Sequence, residues 1–128
     1  MGRIVSRVKI ENVSDPSKTI QCDALVDTGA AYLVLPSVWK ERLGQLETIE
    51  EIELEAATQD TVAAEIGGPV RIQLEGFRPI YNEVVFVEME PEDGQYEPLT
   101  GYIVLEQSHA AVDVLGHRLI PVRRMDLK

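Results

Sequence analysis

Apolar and polar residues alternate with a period of two along most of this chain, the mark of strands that turn one face to a core and the other to water. The first run puts Ile4, Val8 and Ile10 on one face and Arg7, Lys9 and Glu11 on the other. A turn is predicted at Ser14-Asp15-Pro16-Ser17. The next run sets Ile20, Cys22, Ala24 and Val26 on one face and leads straight into Asp27-Thr28-Gly29-Ala30. Residues 31–35 form a short apolar strand stopped by Pro36, Ser37 is a suitable N-cap for a helix through Leu43, and Gly44 is its stop.

From Ile52 the pattern Ile-Glu-Leu-Glu-Ala again has period two, runs into the polar cluster Thr58-Gln59-Asp60, and resumes over residues 61–66, which predicts a hairpin with a polar tip. Gly67-Gly68-Pro69 breaks the chain, and Val70, Ile72 and Leu74 alternate on a further strand. Gly76 then turns the chain toward a strand over residues 80–87. Residues 88–98, rich in acids and prolines around Gly94, read as a solvated surface loop. Leu99-Thr100-Gly101 precedes a short helix over residues 102–107, a strand over 110–115, a turn at Gly116-His117 and a last strand through Val122.

Composition supports the same picture. Val, Ile and Thr supply 31 of the 128 residues, which favours strands over helices, and no Pro/Gly/Ser linker divides the chain. The expectation is one mostly β domain over residues 1–128, long enough to bury roughly 70% of its unfolded surface. Twelve Lys plus Arg against 22 Asp plus Glu give a net charge of -10, the wrong sign for nucleic acid or an anionic membrane. The single Cys22 rules out an intramolecular disulfide and a four-cysteine zinc site, and fits a reducing, cytoplasmic setting. No apolar run approaches the 18 or so residues of a membrane span. The first residues, Met1-Gly2-Arg3-Ile4-Val5-Ser6, lack a signal peptide's apolar core; they match a loose myristoylation pattern but read better as the start of a strand.

The sharpest chemical feature is Asp27, a carboxylate set directly after an apolar strand and followed by Thr28 and Gly29. An Asp-[Ser/Thr]-Gly triplet arises by chance in roughly one chain of this length in twenty, so its setting matters more than its letters. An acid at the end of an apolar strand invites desolvation in a way that an acid in a polar loop does not.

Residues 25–30, Leu-Val-Asp-Thr-Gly-Ala, resemble the retroviral-like, or retropepsin-type, aspartic proteases, whose pattern is two apolar residues, Asp, Thr or Ser, Gly, then Ala or Ser. The bacterial, single-domain members follow this motif with an apolar strand, a Pro and a short helix ending in Gly, matched here by residues 32–35, Pro36 and residues 38–44. Their second motif, two apolar residues and a Gly leading into a short helix, a strand, a basic turn and a final strand, is matched by Leu99-Thr100-Gly101 and the residues after it. The resemblance runs from about Ile4 to Val122.

It implies a retropepsin-like acid protease fold: a closed, barrel-like β domain with a flap hairpin and one or two short helices. It also implies an aspartic endopeptidase, a hydrolase that uses no metal or organic cofactor. In such enzymes two carboxylates about 3 Å apart share one proton; the ionised member activates a water and the protonated one polarises the scissile carbonyl. One chain offers one such Asp, so the resemblance implies a two-fold homodimer with Asp27 from each subunit in a single site. Thr28 would lock the two loops across the dyad, Gly29 would let each loop approach its twin, and Ala30 would complete the loop. A flap over residues 56–63, with Ala57, Thr58, Gln59, Asp60 and Thr61 at its tip, would exclude water and hold an extended peptide substrate as an added strand. Leu99, Thr100 and Gly101 would support the site from behind.

Two positions depart from the pattern: Thr100 stands where an apolar residue is usual, and the flap tip has no glycine. They keep open an alternative of another class, an inactive dimeric module that binds or scaffolds a peptide without cutting it. Other chemistries find less support. His109 and His117 have no metal-binding spacing and read as turn residues, and Cys22 reads as an inert core thiol. Gly67-Gly68 has no phosphate-loop context, Ser37 and Ser108 lack a nucleophile elbow, and Glu88, Glu90, Glu92 and Asp93 do not match a calcium loop.

Overall fold

Strands β1 (Val5–Asn12) and β2 (Asp15–Val26) pair antiparallel, with Val8 opposite Cys22 and Ile10 opposite Ile20. The alternation read from sequence is the one that buries Val8, Ile10, Ile20, Cys22, Ala24 and Val26. This computed structural model describes residues 3–55 and 58–123. The first turn is tighter than expected, because Asp15 already pairs with Asn12 and leaves only Val13 and Ser14 between the strands. The cause is Asn12, fully buried: its Oδ1 accepts the Ser14 N–H at 2.9 Å, and its Nδ2 donates to the Leu43 and Gln45 carbonyls at 2.7 and 2.9 Å.

Strand β3 (Leu33–Pro36) is buried throughout and runs into a 3₁₀ helix (Ser37–Leu43). Pro36 rather than Ser37 occupies the N-cap, and no described side chain caps the first turn. The tighter winding eclipses residues three apart, which sets the Arg42 guanidinium 4.8 Å from the Trp39 ring centroid. Gly44, at φ +65°, ends the helix as expected.

Strands β4 (Thr48–Glu55), β5 (Thr61–Leu74) and β6 (Ile80–Val87) form an antiparallel sheet. Gly67-Gly68-Pro69 does not break the chain. β5 runs through it as one strand, with a register shift between Gly67 and Val70. A side chain at Gly67 would lie 2.8 Å from the Thr48 carbonyl oxygen, so this glycine serves close approach of β4 rather than a turn. Below it come β7 (Leu99–Thr100), α1 (Tyr102–Gln107), β8 (Ala110–Asp113) and β9 (Arg118–Pro121). The last two ends fall one or two residues short of the sequence expectation.

Seven strands form one sheet in the order β1-β2-β7-β3-β6-β5-β4, and β1 pairs also with β5. The pairings from β1 round to β5 therefore close on themselves. The result is mostly β but not a clean barrel, because β4 and β1 follow one another along the same edge of β5: β4 beside Thr61 to Gly68, β1 beside Val70 to Leu74. β8 and β9 make a separate two-stranded sheet. The exposed edge strand β4 carries Glu50, Glu51, Glu53 and Glu55, charges that discourage pairing with another chain.

The main core lies inside the ring, around Ile10, Leu33, Leu35, Ile72, Phe86 and Val104. A smaller cluster of Val34, Ala64, Ile66 and Val85 forms on the opposite face of β3, β5 and β6, with Tyr32, Leu54, Val87, Met89 and Leu99 packed on it. The loop after β6 is better anchored than its composition suggests. Tyr96 meets Trp39 edge-on at 6.0 Å, Pro98 is buried, and Glu92 and Gln95 exchange backbone hydrogen bonds at 2.8 and 2.9 Å. Its acids face solvent together with Pro91, Gly94 and Gln95. Among the described residues no helix is long and apolar enough to cross a membrane.

Candidate active site

β2 delivers Asp27 to a turn that is tied down by backbone hydrogen bonds. The Asp27 N–H donates to the Thr100 carbonyl at 3.0 Å, and the Ala30 N–H closes the turn on the Asp27 carbonyl at 3.1 Å. The carboxylate is aimed by the Gly29 N–H, which donates to Oδ1 at 2.9 Å. Asp27 and Ala30 are half-buried, while Thr28 and Gly29 are exposed.

The second motif braces this turn. β7 lies between β2, to which it is parallel, and β3, to which it is antiparallel, so Thr100 pairs with both Val26 and Leu33. From there the Gly101 N–H donates to Tyr32, the Tyr102 N–H to Ala30 and the Ile103 N–H to Ala31, at 3.0, 2.9 and 3.0 Å. Leu99, Thr100 and Gly101 thus grip both arms of the Asp27 turn. Gly101 has to be glycine for steric reasons alone: a Cβ there would sit 2.4 Å from the Ala31 carbonyl carbon. Thr100 is completely buried on the face shared with Val26 and Leu33, and its hydroxyl finds no hydrogen-bond partner among the described residues.

Asp27 opens into a groove of about 600 Å³ whose walls are Tyr32, Val34, Leu54, Val62, Val85, Val87 and Leu99. The flap hairpin contributes through Leu54 and Val62, which face each other across β4 and β5. Its polar tip does not line the groove: Thr58, Gln59 and Asp60 are exposed, and Thr61 pairs with Glu55 at the hairpin's end. Gln59 takes the left-handed conformation, φ +68°, that a glycine would adopt more easily. Ala57 lies outside the described residues. Nothing in the sequence pattern marks Val85 and Val87 as groove walls, whereas Tyr32 and Val34 fall out of phase with Leu33 and Leu35, which point into the main core.

A second cavity, about 570 Å³, is walled by Glu51, Glu53, Glu65 and Glu88 and shares no described residue with the Asp27 groove. Lys40 reaches into this acidic region, with Nζ 3.0 Å from both carboxylate oxygens of Glu65. Among the described residues, no group of three or more His, Cys, Asp or Glu side chains is arranged to hold a metal ion. His109 and His117 both sit in turns at positive φ, and burial pushes the Cys22 thiol up to about 11.

Comparison with solved structures finds the chain similar to EIAV protease complexed with the inhibitor HBY-793, with a TM-score of 0.59 and 21% sequence identity, covering 82% of this chain and 86% of that chain. No protein-family model and no curated protein matches it. The structural likeness establishes a retropepsin-like fold.

Proposed function

We propose that the chain is an aspartic endopeptidase of the bacterial, single-domain kind, one domain over residues 1–128, that works as a homodimer with one Asp27 from each subunit in a shared site. The observation that carries this reading is the Asp27 carboxylate, aimed by the Gly29 N–H and held at the mouth of an apolar groove. Oδ2 carries no hydrogen bond among the described residues, which leaves it for the partner carboxylate or a bound water. The exposed Thr28 and Gly29 are available to meet their twins across the two-fold axis.

In the dimer the two carboxylates hold a single proton, because like charges so close do not both ionise. The ionised member takes a proton from the water as its oxygen bonds to the peptide carbonyl carbon. The protonated member gives its proton to the carbonyl oxygen. The carboxyl that took the water's proton gives it to the nitrogen, the other carboxylate takes one back from a hydroxyl of the tetrahedral intermediate, and the C–N bond breaks to an acid and an amine. An extended peptide with apolar side chains suits the groove, and the flap, residues 56–63, closes over it. No metal or organic cofactor takes part. A single buried thiol suits work in the cytoplasm.

The test is cleavage of an unbiased peptide library from mildly acid to neutral pH, at a concentration where sedimentation shows a dimer, comparing wild type with Asp27→Asn. Cleavage by wild type alone supports the dyad. A dimer that binds peptides and cuts none at any pH supports the binding-module alternative instead.

A further inference from the structure

Tyr32 is placed as firmly as Asp27 itself. Its carbonyl accepts the Gly101 N–H at 3.0 Å, and it is followed by Leu33, which is fully buried and pairs with both β6 and β7. Being out of phase with Leu33, the Tyr32 side chain packs on the smaller cluster and joins the wall of the groove beside Val34 and Leu99. Apart from Asp27 and Glu55, it is the only described residue in the groove lining whose side chain can hydrogen-bond. Glu55 is out of phase with Leu54, which faces Val62, so strand alternation sends its side chain to the outer face with Glu51 and Glu53. The Tyr32 hydroxyl makes no hydrogen bond to any described residue. A phenol set in an otherwise apolar wall normally finds a partner once water is excluded.

We propose that the Tyr32 hydroxyl reads a neutral hydrogen-bonding side chain of the bound peptide, a carboxamide or an alcohol, set among apolar residues. The inference rests on the reading of this groove as a peptide site. Charge decides between the candidate groups. A carboxylate would meet Asp27 in the same groove of a chain whose net charge is -10, and an ammonium or guanidinium would lose its hydration against apolar walls. A carboxamide costs less to desolvate, and its oxygen accepts the phenolic O–H. An apolar side chain in its place leaves the phenol unpaired in a closed site. In a two-fold dimer the preference recurs once on each side of the cleaved bond.

The experiment measures binding by calorimetry to the Asp27→Asn dimer, so that cleavage does not intervene. The probes are short peptides of Ala and Val carrying one Gln, walked along the central positions, each against its Met counterpart of similar size. The expected result is a preference of about two- to tenfold for Gln at a position on either side of the centre, the range of one neutral hydrogen bond, and its loss in Asp27→Asn/Tyr32→Phe. Equal binding of the Gln and Met peptides, a preference that survives Tyr32→Phe, or no binding of either peptide overturns the proposal. Wild type that cuts nothing while the Gln preference stands would remove the endopeptidase reading and leave this one intact.

Discussion

Gly101 approaches Ala31 so closely that a methyl group on its Cα would lie 2.4 Å from the Ala31 carbonyl carbon and 2.5 Å from its oxygen. The backbone of Gly101, at φ -87°, is one that any residue adopts, so the constraint is contact rather than conformation. Gly101→Ala is expected to push α1 away from the Asp27 turn and to cost about 3 kcal/mol, the upper range for overpacking. Urea unfolding of the variant measures it. A loss near zero would mean that the second motif does not brace the turn.

Thr100 presents the opposite case. Among the described residues its hydroxyl is buried without a partner between Val26 and Leu33, so Thr100→Val removes an unsatisfied group and keeps the shape. A gain of about 1 kcal/mol is expected, or about 4 °C in Tm for a chain of this size. A thermal melt that falls instead would show that the hydroxyl has a partner.

Asn12 ties the first hairpin to the end of the 3₁₀ helix through the carbonyls of Leu43 and Gln45. Asn12→Ala leaves both acceptors and the Ser14 N–H without their partner, at an expected cost of about 2 to 3 kcal/mol. Asn12→Asp restores the acceptor for Ser14 but has no N–H to donate, so it is expected not to rescue stability at neutral pH. Denaturant titration of the two variants side by side reads both outcomes.

Burial raises the Cys22 thiol from its ordinary 9.0 to about 11. Since the folded value is the higher one, its contribution to stability is complete below pH 9 and is lost as pH rises toward 11 and beyond. Native protein at neutral pH is expected to resist iodoacetamide, with labelling only on unfolding, which mass spectrometry follows. A stability difference between wild type and Cys22→Ala that changes only above pH 9 completes the check.

Much of this architecture was legible because period two survives folding: Val8, Ile10, Ile20, Cys22, Val70, Ile72 and Leu74 all point where their alternation says. So was the Asp27 turn, since an acid between an apolar strand and a glycine is a local pattern. What escaped depends on distant partners. Gly67-Gly68-Pro69 reads as a break, yet it is a bulge that admits β4 close to the backbone. Asn12 carries no local signal in the sequence, because its importance comes from the Leu43 and Gln45 carbonyls about thirty positions away. The walls of the groove, Tyr32, Val34, Val85 and Val87, were hidden because the other face of the same strands supplies the main core. The flap's contribution shifted from its polar tip to Leu54 and Val62, the inward positions of its strands.

In the proposed enzyme, one active site needs Asp27 from two chains. Mixing wild type with Asp27→Asn at constant total concentration, after subunits have exchanged, measures that need. If only dimers with two wild-type chains cut, activity follows the square of the wild-type fraction and falls to about a quarter in an equal mixture. A linear fall, to about half, would contradict the account, because each chain would then be working alone.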